Sequence, residues 1–137
     1  AVGGHKHGTA IVTRGGLATR AKRLVERFGV KTEHVDIRVG NLSGGNQQKV
    51  VIGKWLEINP KLVLLDDPTR GVDIGAKSEL FGLIREIADS GKGVLFRSTE
   101  IAELTNLCDR IYVIKNGETR REVSEVDEAE LIKLINE

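Results

Sequence analysis

Residues 42–73, LSGGNQQKVVIGKWLEINPKLVLLDDPTRGVD, constrain this chain more than any other stretch. Ser43 is a good helix N-cap, and Gly44 and Gly45 let a backbone approach a ligand closely. Val51, Ile52, Trp55 and Leu56 recur at i, i+1, i+4 and i+5, which predicts one apolar face of a helix. Asn59-Pro60 stops that helix. Leu62-Val63-Leu64-Leu65 is too short for a helix and apolar throughout, so it reads as a strand buried on both faces. Asp66 and Asp67 follow at its C-terminal end, the edge where parallel sheets place their ligands.

The rest of the chain alternates in the same way. Leu17, Ala21, Leu24, Val25 and Phe28 form a helical stripe closed by Gly29, with Arg20, Lys22, Arg23 and Arg27 on a solvated face. Val30 to Val39 reads as a linker. A helix is expected from Ile74 to Ser90, with Leu80, Phe81, Ile84, Ile87 and Ala88 inward. Val94-Leu95-Phe96 reads as a second buried strand, and a short helix turns Ile101, Leu104 and Leu107 inward. Ile111 to Ile114 is a third strand. Asn116-Gly117 demands a type I′ hairpin turn, and Thr119 to Val123 returns. Asp127 caps a final helix bearing Leu131, Ile132, Leu134 and Ile135. Helices alternating with apolar strands predict an α/β chain with a mainly parallel sheet.

A buried strand ending in Asp-Asp-Pro-Thr resembles the Walker B element of P-loop nucleotidases, and LSGGNQQ resembles the signature sequence of ATP-binding cassette (ABC) ATPases. Gly71-Val72-Asp73 completes the ordered set as a D-loop. The wording LSGGNQQKV with DPTRGVD is most similar to the second nucleotide-binding domain of bacterial monosaccharide importer ATPases. The resemblance runs from about Arg14 to the end. It implies a partial P-loop NTPase fold with an α-helical signature subdomain at 14–60 and the C-terminal part of the ATPase core at 61–137. Residues 1–13 read as an N-terminal tail foreign to the domain, disordered over 1–8 and with a short strand at Thr9 to Thr13. His5 and His7 within it have no third ligand in view.

Nothing in the chain reads G-x-x-x-x-G-K-[ST], so the phosphate-binding loop of the family and its strand are absent from the sequence. The expectation is the C-terminal part of a longer subunit, with a sheet lacking a central strand between the Walker B side and Ile111. An ordinary continuous five-stranded sheet would contradict that.

The resemblance implies roles residue by residue. Ser43, Gly44, Gly45, Asn46 and Gln47 would meet the γ-phosphate of ATP held by a partner ABC ATPase domain, acting in trans. A helix N-terminus suits an anion. Asp66 would hold Mg²⁺ through water. Asp67 stands where these ATPases usually carry the glutamate that polarises the attacking water, one methylene short. Thr99 stands in the place of the switch histidine, without its proton chemistry. Asp73 would act as the D-loop acid across the dimer, as an N-cap, or as both. Trp55 reads as packing, and Cys108 as a buried apolar side chain.

The function implied is the ATP-binding component of a sugar importer. ATP and Mg²⁺ are its cofactors in the parent, not retained by this piece alone. Membrane permease subunits are the further partners. The alternatives are a nucleic-acid-linked ABC ATPase and a non-catalytic docking or dimerisation module. A net charge of +1 over 137 residues argues against nucleic acid. No apolar run reaches the roughly 18 residues of a membrane span. Cys108 is alone, so no internal disulfide forms. These features suit a cytoplasmic domain held against the membrane only through its permease.

Overall fold

A computed structural model of the chain describes residues 14–123 and 128–136. His5, His7, the expected strand at 9–13 and the Asp127 cap lie outside the described residues. The elements run α1 (Arg14–Arg27), a 3-10 turn (Val39–Asn41), α2 (Gly44–Leu56), β1 (Leu62–Asp66), α3 (Ile74–Asp89), β2 (Gly93–Arg97), α4 (Ile101–Leu107), β3 (Ile111–Lys115), β4 (Glu118–Val123) and α5 (Glu128–Asn136).

The stops are those the sequence prescribes. Gly29 ends α1 at φ +56°, Gly91 follows α3 at φ +84°, and Asn59 turns at φ +50° before Pro60. Asn116 (φ +55°) and Gly117 (φ +81°) form the expected left-handed pair between β3 and β4. Asp73 caps α3, its Oδ1 accepting from the Ala76 N–H at 2.9 Å.

The sheet comes in two parts. β1 and β2 are parallel, in register from Leu62 opposite Gly93 to Asp66 opposite Arg97. β3 and β4 are antiparallel, with a bulge between Val113 and Ile114. Among the described residues no hydrogen-bonded strand joins the pairs. This is the break expected of a cassette whose phosphate-loop strand is absent from the sequence.

Two hydrophobic clusters hold these parts. The larger gathers Phe28 and Val30 after α1, Ile52 and Leu56 of α2, Val63 and Leu65 of β1, four residues of α3 and Leu107 of α4. Gly53 lets the Phe28 ring lie against α2, since a Cβ there would come within 2.6 Å of the ring. The smaller cluster comprises Ile111, Val123 and Leu131.

Two expectations fail for one reason. The strand β1 is not buried on both faces: Val63 and Leu65 point into the core, whereas Leu62 and Leu64 are 56% and 67% exposed. Leu95 of β2 is exposed beside them. Only Ile52 and Leu56 of the predicted α2 face are buried, while Val51 and Trp55 stand in solvent with Trp55 59% exposed. Val51, Trp55, Leu62 and Leu64 line one apolar groove, which no described element covers.

Candidate nucleotide and metal site

The signature residues open α2. Ser43 takes the N-cap backbone conformation, but its hydroxyl makes no capping bond. It accepts from Asn46 Nδ2 at 2.9 Å instead, and Asn46 Oδ1 accepts from the Lys31 N–H at 2.8 Å. Gln47 Nε2 donates to the Leu42 carbonyl at 2.8 Å. Asn46 and Gln47 are thereby fastened to the loop ahead of the helix, while Ser43 and Gly44 remain exposed. Gly45 is buried, and a Cβ on it would come 2.5 Å from the Cβ of Ala76. The second glycine is therefore required by close packing of α2 on α3, just after the D-loop.

Lys49, one turn into α2, is buried. Its ammonium donates to the Gly29 carbonyl at 2.9 Å and pairs with Glu79 Oε2 at 2.6 Å. Lys31 meets the other oxygen of Glu79 at 2.7 Å. The Lys31 hydrogen bond first, then that of Lys49, holds the Glu79 carboxyl down to about 2. These contacts lock the signature helix to the end of α1 and to α3.

At the carboxyl ends of β1 and β2 the structure brings Asp66, Asp67 and Thr99 together. Asp67 lies in the left-handed region at φ +43°, and its N–H donates to the Arg97 carbonyl at 2.9 Å. Its Oδ1 accepts from the Thr99 N–H at 3.0 Å. Its Oδ2 and Asp66 Oδ1 both accept from the same nitrogen, Arg97 Nη1, at 2.7 Å and 2.6 Å. The bond from Arg97 to Asp66 leads the interactions that raise the guanidinium above its ordinary pKa. Asp67 is largely shielded; Asp66 and Arg97 are exposed.

Below this cleft sits Glu103, buried on α4 and absent from the sequence-based candidates. Its Oε2 accepts from Thr69 Oγ1 at 2.7 Å and from Ser98 Oγ at 2.6 Å. Its Oε1 pairs with the Lys77 ammonium at 2.9 Å. Burial opposes its ionisation, but the bonds from Ser98, Lys77 and Thr69 outweigh it and leave the pKa lowered. Glu103 so ties the loop after β1 to the loop after β2. Arg97, Thr69, Glu103, Lys49 and Glu79 pair over 30 or more residues. No local spacing marks such pairs.

Asp66 and Asp67 supply hard carboxylate oxygens that converge on one cation, the Arg97 guanidinium. That donor set suits Mg²⁺, which takes one or two carboxylates and completes its shell from phosphates and water. No group of three or more His, Cys, Asp or Glu side chains forms a metal cluster among the described residues.

The family pattern described as ABC transporter matches residues 7–70. The ribose import ATP-binding protein RbsA 1 of Mesorhizobium japonicum is 48% identical over 129 residues, covering 88% of this chain and 25% of that protein. The chain belongs to the ABC transporter family. It spans about a quarter of the length of the curated relatives it matches. A nucleotide-free ATP-binding cassette from an ABC transporter superposes with TM-score 0.76 at 26% identity, over 92% of this chain and 49% of that structure. A dimeric bacterial ABC transporter cassette superposes with TM-score 0.70 at 25% identity, over 88% of this chain and 52% of the other. This ABC chain is thus a partial cassette fold.

Proposed function

We propose that the chain is part of the ATP-binding subunit of a bacterial monosaccharide importer, acting at the inner face of the membrane with a permease. The ribose import relative and the wording of residues 42–73 support this reading. The observation that carries it is the opening of α2: Ser43 and Gly44 are exposed at the helix start, while Asn46, Gln47 and Lys49 are bonded inward and hold that start in place. The backbone amides there offer an anion site to a nucleotide phosphate held by a second cassette. The dimeric solved cassette supports such a pairing.

On this reading the chain's own catalytic position is slow. Asp67 is short for polarising a water, and its carboxylate already accepts from Arg97 and the Thr99 N–H. Thr99 brings no imidazole. A displacement of about 1 Å can cost on the order of a hundredfold in rate. With no phosphate-loop lysine in its sequence, the 137-residue chain binds ATP weakly by itself. Mg²⁺, when bound with nucleotide, would neutralise phosphate charge. Asp66 would orient its waters, and Asp73 would face the second cassette while capping α3.

The test is made in the full-length subunit. Ser43→Arg is expected to abolish sugar transport, whereas Asp67→Asn reduces it only modestly. The reverse ranking would overturn the assignment, as would micromolar Mg-ATP binding by the 137-residue chain.

A further inference from the structure

We infer that Arg97 is a built-in cation for the Asp66–Asp67 pair, and that a divalent metal reaches these carboxylates only by displacing it. The inference rests on the reading of Asp66 as the residue that faces the metal through its waters, with Asp67 beside it, and adds a competitor to that site.

The geometry is specific. One guanidinium nitrogen, Nη1, is shared between Asp66 Oδ1 at 2.6 Å and Asp67 Oδ2 at 2.7 Å. An arginine paired for strength alone presents two nitrogens to one carboxylate. Here one nitrogen bridges two carboxylates, in the manner of a metal ion. The strand register dictates the position: Arg97 ends β2 directly opposite Asp66, which ends β1. The backbone reinforces it, since the Asp67 N–H donates to the carbonyl of Arg97 itself.

The charge balance explains why a cation belongs there. Asp67 is shielded, and the Thr99 N–H bonded to its Oδ1 holds its carboxylate beside Asp66. Two adjacent carboxylates repel, and a guanidinium, protonated at every accessible pH, relieves the repulsion without metal. Arg97 and Asp66 are both exposed, at 61% and 78% of their side-chain surface. Exposed ion pairs hold only weakly in water, so the guanidinium can be displaced. It therefore weakens metal binding by competition and leaves the site usable.

The experiment titrates Mn²⁺ into the chain in phosphate-free buffer, following free Mn²⁺ by electron paramagnetic resonance and amide broadening at residues 66–67 and 97–99. Wild type, Arg97→Gln, Arg97→Lys and the double variant Arg97→Gln/Asp66→Asn are compared. Circular dichroism confirms that each variant is folded. Arg97→Gln is expected to bind Mn²⁺ about fivefold more tightly than wild type. Arg97→Lys, which keeps the charge, should stay near wild type, and the double variant should lose the gain. Equal affinities for wild type and Arg97→Gln overturn the competition while leaving the metal site standing. Absence of binding in both overturns the metal-site reading and this inference together.

Discussion

The ammonium of Lys49 lies 2.6 Å from Glu79 Oε2, joining the signature helix to α3 from inside the fold. The same ammonium holds the Gly29 carbonyl, so one buried charge satisfies the end of α1 and the side of α3 together. Lys49→Met keeps most of the stem and removes the donor. It should lower stability by about 1–3 kcal/mol, since hydrogen bonds to charged groups contribute at that scale. Urea unfolding would show a lower midpoint at unchanged slope. An unchanged midpoint would mean Lys49 is dispensable.

Two glycines in neighbouring helices should respond with opposite signs. Gly45→Ala drives a methyl to within 2.5 Å of Ala76 and should cost about 1–3 kcal/mol. Gly82, mid-helix in α3, has nothing within 4 Å of a built Cβ. Gly82→Ala should stabilise by about 0.5–1 kcal/mol through helix propensity. Thermal melts of both variants decide the matter, and shifts of the same sign would contradict the packing of α2 on α3.

Glu79 imposes a pH dependence of known direction. Its folded pKa, about 2, lies below the ordinary 4.5, so the folded state favours the ionised carboxylate. The stabilisation is fully present above pH 4.5 and fades as pH falls toward 2. Melting curves of wild type and Glu79→Gln should therefore differ at neutral pH and converge across that interval. Parallel curves would refute the assignment.

Cys108 should be a sluggish nucleophile. Burial first, with Asp109 adding to it, pushes its thiol up, against a smaller opposing effect of Arg85. Alkylation at pH 8 should run severalfold slower than for a free thiol and match it in urea. Fast labelling of the folded chain would contradict the packing of Cys108 beside the smaller cluster.

What could be read along the chain was local chemistry. Gly29, Asn59-Pro60, Asn116-Gly117 and Asp73 mark turns or caps by their own conformational preferences, and the structure uses each as expected. The motif wording singled out Ser43 to Gln47, Asp66, Asp67 and Thr99, and the structure places them at the start of α2 and at or just after the carboxyl ends of β1 and β2. The burial of β1 was misread because Leu62 and Leu64 are as apolar as Val63 and Leu65. Which face is covered depends on elements the pattern does not contain. Arg97 and Glu103 were missed for a related reason. A lone Arg or Glu gains meaning only when register and helix packing bring it to Asp66 or Thr69.

The seven residues of α4 serve two masters. Leu107 belongs to the larger cluster, while Ile101 and Leu104 pack against the smaller one. Between them, Glu103 grips Thr69 and Ser98 at the rim of the acidic pair. In mechanical terms α4 is a rivet: a change that shifted it would strain the Glu103 bonds to the loops after both parallel strands.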